Sequence, residues 1–181
     1  SIPLMEPVLP PLRAWTALGS PLPTAATTGA IGLNADRQWD SGILSRATLP
    51  LLTGLTISLS LDAPLSTATD VATAVTIALV APEIVGDIQR DEPQFLRYAS
   101  FSWIADAKRF VYAVGQEAFS EPVAPSAKDA VIVRMVVESD STVSFSIDGQ
   151  QRWRSSLRVM ALRNEPRTQL WICGRATGDG V

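Results

Sequence analysis

The sequence contains no histidine and only one cysteine, Cys173. Without an imidazole group, the Ser-His-Asp and Cys-His nucleophile systems and all histidine-dependent metal sites are excluded. A single cysteine cannot form an intrachain disulfide. Cys173 lies in the apolar run Leu170–Gly174, which is typical of a buried strand, so we interpret it as an unreactive core thiol.

Charged residues are also scarce. They make up 18% of the 181 residues, compared with about 25% in an average soluble domain. The formal net charge is −3 and no basic footprint is visible, which argues against nucleic acid as a partner. With 46% hydrophobic residues, the chain has enough apolar material for one globular domain with a substantial core.

Long hydrophobic runs are absent as well. A bilayer-spanning helix needs about 18 consecutive apolar residues, and the nearest candidate, Val71–Ala81, is shorter and contains Thr73 and Thr76. We therefore expect no transmembrane segment in this chain. Because the chain opens at Ser1 without a methionine or a basic segment, we expect that a preceding segment has been removed.

Proline is concentrated near the N-terminus, where residues 1–28 contain Pro3, Pro7, Pro10, Pro11, Pro21 and Pro23. This composition opposes both helices and central strands. We predict that residues 1–28 form an extended arm or linker and that residues 29–181 form the folded domain. The arm has more apolar side chains than a soluble spacer needs. We therefore predict that the arm lies against its own sandwich, another subunit or a membrane-embedded partner. The candidate partner-docking residues are Leu4, Met5, Leu9, Leu12 and Trp15.

The stretch Ala130–Trp153 carries the strongest secondary-structure signal. Its second half alternates strictly between polar residues and the apolar positions Val143, Phe145 and Ile147. A period of two predicts a strand with one buried face. The following pair Asp148-Gly149 predicts a two-residue hairpin, because both central residues of a type I′ turn need positive φ. The stretch therefore predicts three consecutive antiparallel strands.

The rest of the chain also favours short strands, and helical periodicity is hard to find. The predicted strands are Ala30–Leu33, Gly42–Ser45, Leu55–Leu61, Ala72–Ala81, Phe95–Ile104, Arg109–Val114, Glu117–Phe119, Ser156–Val159 and Thr168–Gly174. Turn-forming residues separate them at intervals of about 8–15 residues, a spacing typical of all-β sandwiches. Ala72–Ala81 is nearly continuous in apolar character, which predicts a central strand buried on both faces.

Four segments resemble strands of the concanavalin A-like (laminin-G-like) jelly rolls. Two match the opening half of that fold, Trp39–Arg46 and Gly54–Leu59, and two match its closing half, Val131–Gly149 and Gln169–Gly174. The resemblance implies an all-β fold, an antiparallel β-sandwich (jelly roll) of two packed sheets. Such domains usually end with one further strand. Either that strand lies beyond Val181, or the N-terminal arm completes the sheet.

The resemblance also covers glucanases, which carry two Glu and one Asp at alternating positions of one strand. The nearest approach here is Glu138-Ser-Asp140-Ser-Thr-Val143, which lacks the last acid and falls at a predicted turn. Retaining hydrolysis needs two carboxyl groups about 5–5.5 Å apart. We therefore predict that the protein is not an enzyme and has no catalytic residues.

Some laminin-G-like modules hold Ca²⁺ with aspartate and backbone oxygens. The loop aspartates that could supply ligands are Asp36, Asp40, Asp62 and Asp70. A calcium site needs six to eight oxygens from several loops, and we interpret these acids as turn caps instead. We predict no cofactor and no metal site, with a loop Ca²⁺ as the alternative.

Aromatic residues suggest a ligand site, because tryptophan rings stack on pyranose rings. We name as candidate ligand-binding residues Asp36, Arg37, Trp39 and Asp40. The alternative is that the five tryptophans are core or edge plugs. We assign Trp103 and Trp171 to the core, and expect that the exposed ones are among Trp15, Trp39 and Trp153.

Two function classes remain. The first is a non-catalytic recognition module that binds a glycan, a peptide or a protein partner, for example as the ectodomain of a membrane-anchored receptor. The second is a structural accessory subunit, docked by its N-terminal arm in a larger, membrane-associated assembly. In both cases we expect an extracytoplasmic location, either periplasmic or extracellular.

Overall fold

The computed structural model describes residues 15–18, 24–25, 31–32, 39–62, 72–82, 97–105, 107–124, 130–162 and 166–177. In chain order these ranges form β1 (Trp15–Leu18), β2 (Thr24–Ala25), β3 (Ile31–Gly32), β4 (Trp39–Ser45), β5 (Leu49–Pro50), β6 (Thr56–Asp62), β7 (Ala72–Val80), β8 (Arg97–Ile104), β9 (Arg109–Val114), β10 (Glu117–Pro122), β11 (Ala130–Val137), β12 (Val143–Ile147), β13 (Gln150–Arg154), α1 (Val159–Leu162) and β14 (Arg167–Thr177). Within these ranges α1 is the only helix, and no helix is long and apolar enough to cross a membrane.

The predicted meander forms the smaller sheet. Its strand order is β13-β12-β11-β6, and all pairs are antiparallel. Phe145 stands opposite Met135, and both side chains are buried in the core. The hairpin between β12 and β13 has φ values of 50° at Asp148 and 82° at Gly149, as a type I′ turn requires. The predicted register and turn are therefore confirmed.

The larger sheet has the order β1-β4-β14-β7-β8-β9-β10, and the short β5 also pairs with β14. Its described pairs are antiparallel. The nearly continuous apolar strand β7 lies between β14 and β8 and is buried over most of its length. Together, the two sheets make the all-β antiparallel sandwich that the sequence predicts.

The main core fills the space between the sheets. The largest of its fully buried side chains include Trp15, Ile57, Tyr98, Phe101, Tyr112 and Phe145. Trp103 belongs to the same cluster, as predicted. A second buried cluster lies on the opposite face of the larger sheet and contains Leu44, Ala78, Val80, Trp171 and Cys173. Cys173 is buried, in agreement with its interpretation as a core thiol.

The strand β4 passes very close to β14 at Gly42. A Cβ atom at this position would lie 2.6 Å from the Ile172 carbonyl oxygen and 2.6 Å from Cη2 of Trp171. Real Cβ contacts are essentially never this short. Gly42 is therefore needed for the close approach of β4 to its neighbour.

The sandwich begins earlier than the predicted boundary at residue 29. Trp15–Leu18, inside the predicted arm, pairs with Gly42–Ser45 and forms the outer strand β1 of the larger sheet. The Trp15 side chain is 1% exposed and packs in the main core. Burial in its own domain removes the Trp15 side chain from the surface, and docking of the arm onto a partner stays a prediction. Leu4, Met5, Leu9 and Leu12 lie outside the described residues.

A second correction concerns the predicted strand Ser156–Val159. The chain bends there instead and enters the helical turn α1. The bend has a local cause in Ser155, whose hydroxyl accepts a hydrogen bond from the Val143 amide and donates one to the Leu157 carbonyl. Short polar side chains that bond nearby backbone groups compete with strand pairing in this way.

Candidate functional site

Two edge strands meet along one side of the sandwich. They are β10 of the larger sheet and β13 of the smaller sheet. A ring contact joins Phe119 to Trp153, and an ion pair joins Glu121 to Arg152. We use the name aromatic edge for the five connected residues Tyr112, Phe119, Glu121, Arg152 and Trp153. Among the described residues, this is the place where aromatic and charged side chains combine at the surface.

The alternation of β10 explains why its functional side chains share one face. Successive side chains of a strand point to opposite sides, so Glu117, Phe119 and Glu121 point the same way. In the sheet, Phe119 is the partner of Tyr112 on β9, whose ring lies in the main core. The three β10 side chains therefore point toward the smaller sheet and reach β13 or the segment that follows it.

The aromatic rings form a continuous series from the core to the surface. The ring of Phe119 is nearly parallel to the rings of Tyr112, at a centroid distance of 6.3 Å, and Trp153, at 6.4 Å, and at these distances the parallel rings are laterally offset. Trp153 in turn stacks on the buried ring of Phe145 at 5.7 Å. Each such pair contributes about 0.5–1.5 kcal/mol beyond its area burial. Phe119 nevertheless remains 41% exposed, and Trp153 is only partly buried.

The ion pair beside the rings crosses from one sheet to the other. Arg152 Nε donates hydrogen bonds of 3.0 and 3.1 Å to the two oxygens of Glu121, and Arg152 Nη2 donates a third. The Tyr112 hydroxyl donates a bond of 2.8 Å to Glu121 Oε2. Glu121 is buried, whereas the Arg152 side chain is 38% exposed. Both carboxylate oxygens are thus occupied inside the protein, while the guanidinium keeps an open side.

The pKa values follow from this arrangement. Burial alone would raise the pKa of Glu121, but the hydrogen bonds from Arg152 and Tyr112 outweigh it and hold that pKa below its usual range. Burial, together with the hydrogen bond to Glu121, raises the pKa of Tyr112 far above its ordinary value. At neutral pH, Glu121 and Arg152 are therefore oppositely charged, and Tyr112 is neutral.

A further carboxylate, Glu117, connects β10 to the segment after β13. It accepts a 2.6 Å hydrogen bond from the Ser156 amide and another from the Ser156 hydroxyl. The hydroxyl bond is the main reason that the pKa of Glu117 lies below its usual value. Glu117 and Glu121 therefore flank Phe119 along the strand, one on each side, and both carry a negative charge at neutral pH.

Polar groups next to the rings remain available at the surface. Gln150 at the start of β13 is exposed and accepts a weak 3.4 Å hydrogen bond from Arg152 Nη1, whereas Gln151 pairs with Ser146 on the opposite face of the smaller sheet. The aromatic edge therefore presents exposed ring surface bordered by guanidinium and amide groups. Such a surface can hold a ligand that has both an apolar face and hydroxyl groups.

The outer face of the larger sheet is a second surface that could be considered as a ligand-binding or catalytic site. It is lined by small residues, and the hydroxyl groups of Thr76 and Ser102 are 2.8 Å apart. Toward β4 and β14 this face is buried, whereas Ala118 and Ser120 on β10 are exposed. No described strand of this sheet carries two carboxylates on its outer face.

The candidate residues chosen from the sequence are only partly covered by the structure. Trp39 and Asp40 are the first two residues of β4, which pairs with β14. Their side chains, the whole of Asp36 and Arg37, and Asp70 lie outside the described residues. The ligand-binding prediction for these residues stays a prediction. In the part of the chain that is described, no group of three or more His, Cys, Asp or Glu residues is placed to hold a metal ion.

The two acids Glu138 and Asp140 lie between β11 and β12, where a turn was predicted. Glu138 accepts a hydrogen bond from the Ser144 hydroxyl. Asp140 accepts hydrogen bonds from the Thr142 hydroxyl and amide, and these lower the pKa of Asp140 to about 2. Asp140 also forms an exposed ion pair with Arg154. Each carboxylate therefore has a structural partner in or beside the turn.

The sequence reasoning missed Phe119, Glu121 and Arg152 but retained Trp153 as an exposed candidate. A signal for β10 was present, because Glu117-Ala-Phe-Ser-Glu121 places two acids and an aromatic ring at alternating positions. No local pattern indicates that this face meets β13, since Arg152 follows Glu121 by 31 residues. The pairing arises only when the two sheets pack together.

Comparisons with known proteins add information on the fold. No protein-family model and no curated protein sequence matches this chain. Solved structures do match. A β-glucanase of Bacillus licheniformis aligns with 92% of this chain and 80% of its own, with a TM-score of 0.61 and 11% identity.

Two binding domains align in the same way. The carbohydrate recognition domain of Emp46p, in a metal-free form, covers 92% of this chain and 82% of its own, with a TM-score of 0.63 and 10% identity. The carbohydrate binding module CBM66 from Bacillus subtilis covers 90% and 89%, with a TM-score of 0.51 and 10% identity. At these identities the likeness shows the fold alone. This chain has the concanavalin A-like jelly-roll fold.

Proposed function

We propose that this protein is a non-catalytic recognition module that binds a glycan on the aromatic edge. The observation that carries the proposal is the stacked pair Phe119 and Trp153, which remains partly exposed beside the open side of the Arg152 guanidinium. A pyranose ring has one face of C–H groups and a rim of hydroxyl groups. The first suits an aromatic ring, and the second suits neighbouring hydrogen-bond donors and acceptors.

The buried rings beneath the aromatic edge favour a binding role over a merely structural one. Trp153 rests on Phe145, and Phe119 rests on Tyr112, so both exposed rings are held by buried aromatic neighbours. A binding surface that is already rigid loses little conformational entropy when a ligand arrives. A ring needed only to close the core has no reason to remain 41% exposed, as Phe119 does.

A non-catalytic role is supported by the state of the acids at this edge. Glycoside hydrolysis needs one carboxyl group as proton donor and a second as nucleophile or base. Both oxygens of Glu121 are occupied by Arg152 and Tyr112, and Glu117 is bonded to Ser156. Neither carboxylate is free to attack a sugar or to protonate one.

The likeness to carbohydrate-binding domains agrees with this proposal at the level of fold. We place the module outside the cytoplasm, where complex glycans are abundant. The alternative role as an accessory subunit docked by its arm loses support, because the arm's Trp15 is buried in the chain's own core.

A glycan array followed by titration calorimetry tests the proposal. We expect the unmodified protein to bind at least one oligosaccharide and Phe119→Ala to weaken that binding at least about tenfold, because the main exposed ring is removed. Ile132→Ala is the matched control, since Ile132 is 50% exposed on β11 of the smaller sheet, away from the aromatic edge. Its affinity should be unchanged.

The fluorescence of Trp153 provides a second readout. The described side chains of Trp15, Trp103 and Trp171 are buried, so ligand contact at the edge should change the emission of Trp153. Trp153→Phe should abolish the change. If no glycan binds, or if Phe119→Ala and Ile132→Ala bind equally well, the proposed function is wrong.

A further inference from the structure

We infer that the aromatic edge selects neutral saccharides over acidic ones, and that Glu121 is the residue that sets this selectivity. The inference rests on the proposed function, because it concerns the ligand of the same site. It follows from the positions of the charged groups Glu117, Glu121 and Arg152 around Phe119, and from the access that a ligand has to each of them.

The exposed ring of Phe119 lies between two carboxylates. Glu117 and Glu121 are two residues away on either side and point in the same direction, since all three alternate on β10. The stacked ring of Trp153 belongs to β13, where the preceding residue, Arg152, forms the ion pair with Glu121. A second guanidinium, that of Arg109, bonds to Ser120 on the opposite face of β10, so on the Phe119 face the two carboxylates meet Arg152.

The charge of Arg152 is already balanced by Glu121. Arg152 directs Nε and Nη2 toward Glu121, in the side-on geometry that guanidinium and carboxylate groups favour. The remaining N–H groups of Arg152 can still donate hydrogen bonds to a ligand, because its side chain is 38% exposed. Glu121 itself is buried and has no open side. The site thus offers donors without a net positive field.

A neutral sugar and an acidic sugar would experience this site differently. A hydroxyl group needs only a donor or an acceptor, and Arg152 and Gln150 supply both. A carboxylate or sulfate would lose hydration on binding and would be repelled by Glu117 and Glu121. Arg152 would not offset this cost, because it is already paired with Glu121. Uronic acids and sulfated sugars should therefore be rejected, and unsubstituted hexose chains accepted.

Glu121→Gln is the decisive variant. Glutamine has nearly the same shape and can still accept a hydrogen bond from Arg152, but it removes the compensating charge. We expect this variant to bind an oligogalacturonate at least about tenfold more tightly than the unmodified protein, the gain typical of one released charge-assisted hydrogen bond. The readout is the ratio of acidic to neutral affinity, which should rise at least about tenfold relative to the unmodified protein.

The experiment titrates each protein with cellohexaose, neutral galactan and mannan oligosaccharides, and oligogalacturonate of the same length. Glu138→Gln is the control, because it removes one negative charge between β11 and β12, on a segment with no contact to Arg152. It should not gain acidic binding. Glu117→Gln is a second test variant on the other side of Phe119 and should shift selectivity in the same direction, which keeps the inference testable if Glu121→Gln does not fold.

The outcomes separate the two proposals. Neutral binding by the unmodified protein, with acidic binding gained only in Glu121→Gln or Glu117→Gln, supports the inference. Acidic oligosaccharides that bind the unmodified protein as tightly as neutral ones overturn the inference but leave glycan recognition intact. So does a folded Glu121→Gln variant without any gain. Failure of every saccharide to bind overturns the proposed function itself.

Discussion

Arg152 on β13 and Glu121 on β10 join the outer strands of two different sheets, with Arg152 Nε 3.0 Å from Glu121 Oε1. Backbone hydrogen bonds hold each sheet together, but no ladder connects these two strands. The ion pair and the Phe119–Trp153 ring contact therefore close this side of the sandwich by side chains alone. This arrangement leads to predictions about stability as well as binding.

Arg152→Met should destabilise the fold, because it removes the cation that pairs with the buried Glu121 carboxylate. The Tyr112 hydroxyl would still donate its hydrogen bond to Glu121. We expect a loss of about 1–2 kcal/mol, a value reduced for the partial exposure of Arg152. Urea unfolding at pH 7 measures it. Arg154→Met is the matched control, since Arg154 pairs with the exposed Asp140, and its effect should be clearly smaller. Equal effects would show that the cross-sheet pair has no special role.

Tyr112 should make the fold sensitive to alkaline pH. Its pKa is raised in the folded state, chiefly by burial, above an unfolded value of about 10. A raised pKa contributes stability that is present below the unfolded pKa and is lost as the pH rises above it. Unfolding free energy should therefore fall above about pH 10 in the unmodified protein.

The variant Tyr112→Phe separates this effect from general alkaline unfolding. It removes the ionisable group, so its unfolding free energy should fall less steeply above about pH 10. Urea midpoints at pH 8, 9, 10 and 11 would reveal the difference between the two proteins. Parallel curves would exclude Tyr112 as the source of the sensitivity.

Phe145→Ala tests the register of the smaller sheet. Phe145 is fully buried, and its ring contacts both Tyr112 and Trp153. Emptying a large aromatic site usually costs about 3–5 kcal/mol. Ser146→Ala, one residue later and on the opposite face, should be nearly neutral by comparison. A melting temperature unchanged by Phe145→Ala would be incompatible with this register.

Truncation at the N-terminus tests what the proline-rich segment does. Deletion of residues 1–18 removes β1 and with it Trp15, and we expect a loss of several kcal/mol, because a core tryptophan and an outer strand disappear together. Deletion of residues 1–12 leaves β1 in place. Thermal melting of the two truncated proteins compares them, and a milder effect of the shorter deletion would assign the stabilising contacts to residues after 12. Equal melting temperatures for the full chain and the longer deletion would argue against a structural role for β1.

Much of the fold could be predicted from local patterns. Strict alternation at Val143, Phe145 and Ile147 predicted a half-buried strand, and Asp148-Gly149 predicted the turn that follows it, because both signals depend on neighbouring residues only. The continuous apolar strand β7 was predicted to be central for the same reason. The prediction of a strand at Ser156–Val159 was wrong, because hydrogen bonds of the Ser155 hydroxyl bend the chain there.

The sequence by itself determined the period of each strand, the hairpin and the all-β class. Only the tertiary structure decided that Trp15 belongs to the core and that Glu121 meets Arg152. Strand periodicity shows which side chains share a face, but it does not show which strand of another sheet that face will meet. That choice depends on how the two sheets pack, and it unites residues from β9, β10 and β13 in the aromatic edge.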